Sequence, residues 1–427
     1  MNNDYSGLIE GLNDKDVKVR LDCLQKLMDR VNAGEIQRPV NGGHVNNHIH
    51  TIYSFSPYSP TKALWMAYNA GLTTAGIIDH DSVSGAEEFI QAGKIIGMAT
   101  TIGAECRVDF SRTSMAGKKL NNPDQKTVAY VTLHGIPHSR IDEVKNFFQP
   151  YLVERNKRNR LMVEKICKLV ADAGIKLDFE KDVKPLSLYN EGGSVTERHI
   201  LYALALRLIE KFGKGSGLLE YLKNGLKIKV SAKIEAMLSD LQNPYYEYDL
   251  LGLLKGELVE AFYIDAAAEC PDVKAFIELA KSVGAISAYA YLGDIGDSVT
   301  GDKKSQKFED DYIEELFELL QELGFNGVTY MPSRNTLEQL KRVKALCDKH
   351  GLFQISGEDI NSPRQSFICK AMENKEFDNL IDATWALIGH EKAATENIAK
   401  GMFSAETMAK YPGLQERIRV FKEIGLV

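Results

Sequence analysis

The residues best suited to chemistry stand in two short runs, Asn46-Asn47-His48-Ile49-His50-Thr51-Ile52-Tyr53-Ser54 and Ile77-Ile78-Asp79-His80-Asp81-Ser82. His48 and His50 are one residue apart in a stretch that reads as strand. Successive strand side chains point to opposite faces, so these imidazoles share a face about 6.6 Å apart along the backbone and can converge on one metal ion. The second run is an apolar strand ending in Asp-His-Asp. Other apolar runs end in Glu105, in His134 (with His138 close by) and in Glu358-Asp359. Imidazole and carboxylate are the ligand types for zinc, manganese or iron. Taken singly, each piece has a plain structural explanation: a chance H-x-H, a hydrogen-bonded strand end, a capping carboxylate. Five strand ends that each carry a ligand-type residue point instead to a joint metal site.

Such convergence needs strands whose ends share a mouth. Apolar strands at 45–50, 74–79, 98–104 and 127–133 alternate with helices at 60–70 and 84–96, the latter opened by Ser84 with Glu87 three residues on. Residues 111–126 are polar and read as loop, and 139–260 read as almost wholly helical. The rhythm then returns, with strands at 285–290, 326–331 and 352–357 between helices at 271–283, 309–323 and 335–350. Strands separated by helices imply a parallel sheet, open or closed into a barrel whose strand C-termini face one mouth. We therefore expect an N-terminal helix and linker at 1–44 and a discontinuous α/β domain at 45–135 and 258–365. A helical insertion occupies 136–257 and a helical extension 366–427. The terminal helices are expected on the barrel bottom or in a homo-oligomer contact.

The 427 residues carry a net charge of -7, which argues against a nucleic-acid partner. Six scattered cysteines without a C-x-x-C pair suit a reducing compartment, and neither a leader nor an apolar run of ~18 residues is visible. The expectation is a cytoplasmic protein without membrane contact. The basic run Arg155 to Arg160 reads as a solvated helix face or a lid over the substrate.

The combined motifs H-x-H-T-x-Y-S (His48 to Ser54), I-I-D-H-D-S (Ile77 to Ser82) and G-A-E (Gly103 to Glu105) resemble the PHP family, the polymerase and histidinol phosphatase domain. The resemblance covers about 45–135 and 258–365. It implies a distorted (β/α)7-type barrel with up to three metals at the strand C-termini, hydrolysing phosphoesters. It further implies that His48, His50, Glu105 and Asp359 hold one metal. Glu105 and His134 would hold a second, and His80 would be a ligand of a third. Ser194-Val195-Thr196-Glu197 reads as a capping box, and Arg198-His199-Ile200 beyond it is similar to the R-x-H-I element of the family's nucleotide phosphoesterase branch.

Three positions depart from the family pattern: Phe55 and Asn361 stand where third-metal ligands are usual, and Tyr289 where a second-metal histidine is usual. One to two zinc, manganese or iron ions per chain are therefore expected, with the third site vacant and His80 a lone histidine beside the cluster. The function expected is hydrolysis of a small phosphorylated substrate, a nucleotide or another metabolite. Arg198, Arg107 and Arg334 would clamp the phosphate, and His199 would serve as ligand or proton donor. The alternative is a degenerate site that binds a phosphorylated ligand or partner without turnover. A metal-dependent amide or ester hydrolase shares the H-x-H but wants a lysine at a strand end, and no strand end here offers one.

Overall fold

A computed structural model describes residues 5–295 and 306–427. Seven strands, β1 (His44–Ile49), β2 (Leu72–His80), β3 (Ala99–Asp109), β4 (Val128–His134), β5 (Ile286–Ala290), β6 (Gly327–Tyr330) and β7 (Phe353–Ser356), form one sheet in sequence order. The sheet curls into a half-barrel.

One strand breaks the expected parallel pattern. β4 runs antiparallel to both β3 and β5, while the other pairs are parallel. The cause lies in the helix-free connection at 110–127. Asp109 pairs with Val128, and the Phe110 amide donates to the Thr127 carbonyl at 3.0 Å, so the chain folds straight back. Without a crossover helix, an antiparallel return is the available pairing. The C-terminal end of β4 therefore points to the floor of the half-barrel, away from the mouth.

The barrel does not close by strand pairing. β1 and the segment after β7 meet at a single bridge, Ile49 with Ile360, where the His50 amide donates to the Ile360 carbonyl at 2.9 Å and the Ile360 amide to the His48 carbonyl at 3.1 Å. Buried asparagines satisfy the rest of the seam. Asn47 Nδ2 donates to the Ser356 carbonyl at 2.9 Å, and Asn46 both donates to the Glu358 carbonyl (3.1 Å) and accepts from its amide (3.0 Å). Asparagine is a poor strand former; here it supplies the peptide-like groups that a missing neighbour strand would have supplied.

The helix Asp378–Glu396 lies under the floor. Glu391 accepts at 2.7 Å from the Ile102 amide, which β4 leaves unpaired, and its other oxygen is 2.8 Å from His138 Nε2. The N-terminal helix Val17–Asn32 packs on the barrel flank, where buried Arg20 pairs with buried Glu88. Ser84 caps no helix: the helix Ala86–Ile96 starts at Gly85, and the Ser84 hydroxyl donates to the Gly192 carbonyl instead.

Between β4 and β5 the long helices Ile141–Leu169, Glu197–Phe212 and Tyr246–Phe262 build a second apolar core. A buried ion network fastens it to the sheet. Glu269 accepts from Arg107 Nη2 of β3 (2.5 Å) and from Arg158 Nε (2.7 Å), Glu197 pairs with Arg107 and Arg158, and Asp81 pairs with Arg155. Arg155 and Arg158 of the basic run thus lie inward, because three carboxylates await them across the interface, while Lys157 and Arg160 keep the expected solvated face. Removing one member of a buried pair leaves uncompensated charge. Glu269→Ala is expected to lower stability by about 3–5 kcal/mol in urea unfolding; a loss below about 1 kcal/mol, typical of exposed pairs, would contradict this reading of the network.

Candidate metal centre

The strand ends on the open side carry the expected cluster. His48 on β1 and His50 just beyond its end turn the same way, and their Nε2 atoms are 3.2 Å apart. Both lie 3.8 Å from Glu105 Oε2 on β3. His80 at the end of β2 is in register with Glu105, and its Nδ1 is 3.1 Å from the same oxygen. Across the seam, Asp359 Oδ1 is 3.2 Å from His50 Nε2. Two overlapping groups result, His48/His50/Asp359 and His50/His80/Glu105. Ligand atoms ~2.0–2.2 Å from a tetrahedral ion stand roughly 3.3–3.6 Å from one another, close to the spacing found here. The donor set fits a divalent cation of the zinc, manganese or iron kind. His80 is a member of the cluster, contrary to its expected place as a lone histidine.

A second layer fixes His50. Asp79 accepts from the Thr51 amide (2.7 Å), the Thr51 hydroxyl (2.6 Å) and the Ser54 hydroxyl (2.6 Å). With its proton committed to Asp79, the Ser54 oxygen faces His50 Nδ1 at 3.2 Å as an acceptor. That assigns the proton to Nδ1 and leaves the Nε2 lone pair facing the other donors. Asp79 is thus a support rather than a ligand. Asn361 plays the same part for Asp359, donating to its Oδ1 at 2.6 Å.

The electrostatics call for a cation. Burial lowers the affinity of His50 for a proton, but the charges of Asp359, Glu105 and Asp79 outweigh it and the pKa rises. Burial, followed by the neighbouring His50, takes His48 down to about 4. Burial, together with the Asp359 and Asp81 charges, pushes Glu105 up to about 8 despite His50. Burial raises Asp359 as well, but His50, His48 and Arg198 outweigh it and hold that carboxyl well below the usual range. Glu105 is the carboxylate left undercompensated, which a bound cation would stabilise.

Other expected site residues fall elsewhere. His134 is buried toward the floor because β4 is reversed; among the described residues its Nε2 has no partner, and it belongs to neither group of converging donors. Tyr289 points away from the cluster. It sits opposite Val131, whereas Glu105 sits opposite Thr132, so Tyr289 is on the other face, its hydroxyl accepting from the Asn121 amide at 3.3 Å. The β5 residue that reaches the cavity is Ala290.

Phe55 belongs to the core of the insertion, its ring edge-on to His199 at 5.0 Å. His199 is itself a capping residue: Nδ1 accepts from the Thr196 amide at 3.0 Å, and the helix opens at Thr196 rather than Ser194. It does not line the cavity, so the expected ligand or proton-donor role is not supported. Arg107 is consumed by the ion network and is no phosphate clamp. Arg198 and Arg334 do line the cavity, beside His48, His80, Glu105 and Asp359, in a space of about 700 Å³. Lys255 and Tyr130 line the cavity, and Asp79 and Ser54 support His50. Lys255 and Tyr130 carry no motif, whereas Asp79 and Ser54 stood inside the two opening runs.

Neither a protein-family model nor a curated protein sequence matches this chain. Solved structures share its fold. A candidate metal-dependent phosphoesterase from Bifidobacterium adolescentis superposes with a TM-score of 0.50 at 17% identity, over 78% of this chain and 94% of that one. An amidohydrolase from Chromobacterium violaceum, with bound sulfate and no metal, gives a TM-score of 0.50 at 17% identity, over 76% and 89% of the two chains. At that identity the likeness is one of fold. No helix among the described residues is long and apolar enough to cross a membrane.

Two outcomes are expected. Ser54→Ala removes the Nδ1 acceptor and should weaken zinc or manganese binding by about 10–100-fold in calorimetry; unchanged affinity would detach Ser54 from the site. Because Glu105 holds a proton up to about pH 8 and His50 binds one more tightly than usual, an incoming ion must displace protons. Affinity should therefore climb as pH is raised from about 6 to about 8, with net proton release. A flat profile would contradict the assignment of Glu105.

Proposed function

We propose that this protein is a metal-dependent hydrolase of phosphoesters, acting on a small phosphorylated metabolite such as a nucleotide. One observation carries the reading: a cluster of converging imidazoles and carboxylates opens into the same cavity as two arginines, Arg198 and Arg334. His48, His50, Glu105 and Asp359 would hold one ion, with His80 beside a second position. A bound divalent ion supplies Lewis acidity and brings the pKa of water down to about 7.

The chain's own groups do the rest. Arg198 and Arg334 orient phosphate oxygens and stabilise charge that builds on them. Burial, aided by His50 and Arg155, keeps the His80 pKa well below the usual range, so the imidazole is neutral. Its Nδ1 lies 3.1 Å from Glu105 Oε2, and a neutral imidazole beside the ion can accept a proton from an attacking water. An amide hydrolase of the same fold finds less support, since no strand end carries a lysine; the sulfate in the amidohydrolase neighbour is itself a phosphate-shaped anion. Non-hydrolytic binding is the second reading, favoured by Phe55, which fills a family ligand position with an apolar ring.

Assay of the chelated protein on a generic aryl phosphate, with manganese or zinc restored, separates these readings. Turnover that requires the ion and vanishes in His50→Ala is the expected result; no turnover with either metal would favour non-hydrolytic binding. Arg198→Ala should cost roughly 10–100-fold in kcat/KM, the worth of a hydrogen bond to a charged group.

A further inference from the structure

Helix Tyr246–Phe262 of the insertion turns an unusual face to the cavity. Gly252, Lys255, Gly256 and Val259 all line it. Glycine in a helix interior is destabilising relative to alanine, and neither Gly252 nor Gly256 has an atom within 4 Å of where a Cβ would stand. Packing therefore does not demand glycine at either place. What the glycines provide is open space next to Lys255.

Lys255 is poorly matched by the protein around it. Among the described residues it makes no hydrogen bond or salt bridge, and neither does Arg198, which lines the same cavity. Arg198 is the strongest electrostatic influence on Lys255, ahead of burial, and the two bring its pKa down to about 8. The carboxylates of Asp124, Glu197 and Asp359 oppose the shift without cancelling it. The cavity also bears Glu105, Asp124, Glu260 and Asp359, yet none of them is hydrogen-bonded to either cation, so an anion placed between Lys255 and Arg198 would relieve their repulsion.

We propose that Lys255 and Arg198 together bind an oxyanion of the substrate, and that the glycine face of the helix receives the organic part of the molecule. The insertion then supplies half of the binding site, and the substrate is an ester whose organic group packs along Gly252 and Gly256. Calling the ligand a substrate rests on the proposed hydrolase function; the anion site itself can be tested separately.

The test is calorimetric titration of the full chain, as purified and after chelation, with inorganic phosphate and with phenyl phosphate. Lys255→Met should weaken both ligands about tenfold or more, and Lys255→Arg should stay within about threefold of the parent, as expected for a charge-assisted contact. Gly256→Leu should lose phenyl phosphate selectively while keeping inorganic phosphate and an equal or higher Tm. Binding by Lys255→Met equal to the parent's would overturn the proposal. So would a parent chain that binds neither ligand, or phenyl phosphate bound as tightly by Gly256→Leu as by the parent. Lys255-dependent phosphate binding in a chain that takes up no metal would uphold the anion site while removing the hydrolase reading.

Discussion

Everything at the mouth depends on how the first strand meets the last. β1 has no partner strand on its outer side, and a half-barrel with an unpaired edge would leave buried amides and carbonyls exposed to no acceptor or donor. Asn46 and Asn47 supply those groups from their side chains and draw the segment after β7 against β1. The same closure sets Asp359 beside His50. A seam built from two amide side chains thus does two jobs: it satisfies the sheet edge and completes the ligand set.

A second constraint positions the insertion. Three arginines and three carboxylates, nearly all deeply buried, neutralise one another where the helices meet β2 and β3. Such networks give little net stability against an apolar contact, yet a wrong geometry strands a charge, so they define one arrangement of the parts. Glu197 is held in this network, and Arg198 follows it in the first turn of the same helix, facing the cavity. The reach of the insertion into the site follows from where its neighbour is pinned.

Much of this was legible in the chain. Period-two spacing in His48-x-His50 and the polar ends of apolar runs located the cluster, because strand geometry leaves few other outcomes for such patterns. The reversal of β4 was not legible as such, although the polar, helix-free 111–126 stretch held the clue: a connection with no crossover helix cannot deliver a parallel strand. That reversal alone carries His134 away from the mouth. Tyr289 stands one residue out of the register that faces the cavity, which in a strand is a change of face. His199 and Arg107 looked like site residues because histidine and arginine near a metal motif invite that reading; their partners, Thr196 and Glu269, are set by tertiary packing that local sequence does not encode.

The central claim is that β1, β3 and the seam beyond β7 hold one divalent ion in common. Metal content per chain, measured after loading with zinc and gel filtration, addresses it directly when the parent is set beside His50→Ala and Asp359→Ala. About one ion per parent chain or more, and a near-complete loss in both variants, is the predicted result, since each variant removes a ligand from the same ion. Equal metal in all three chains, or none in the parent, would contradict it.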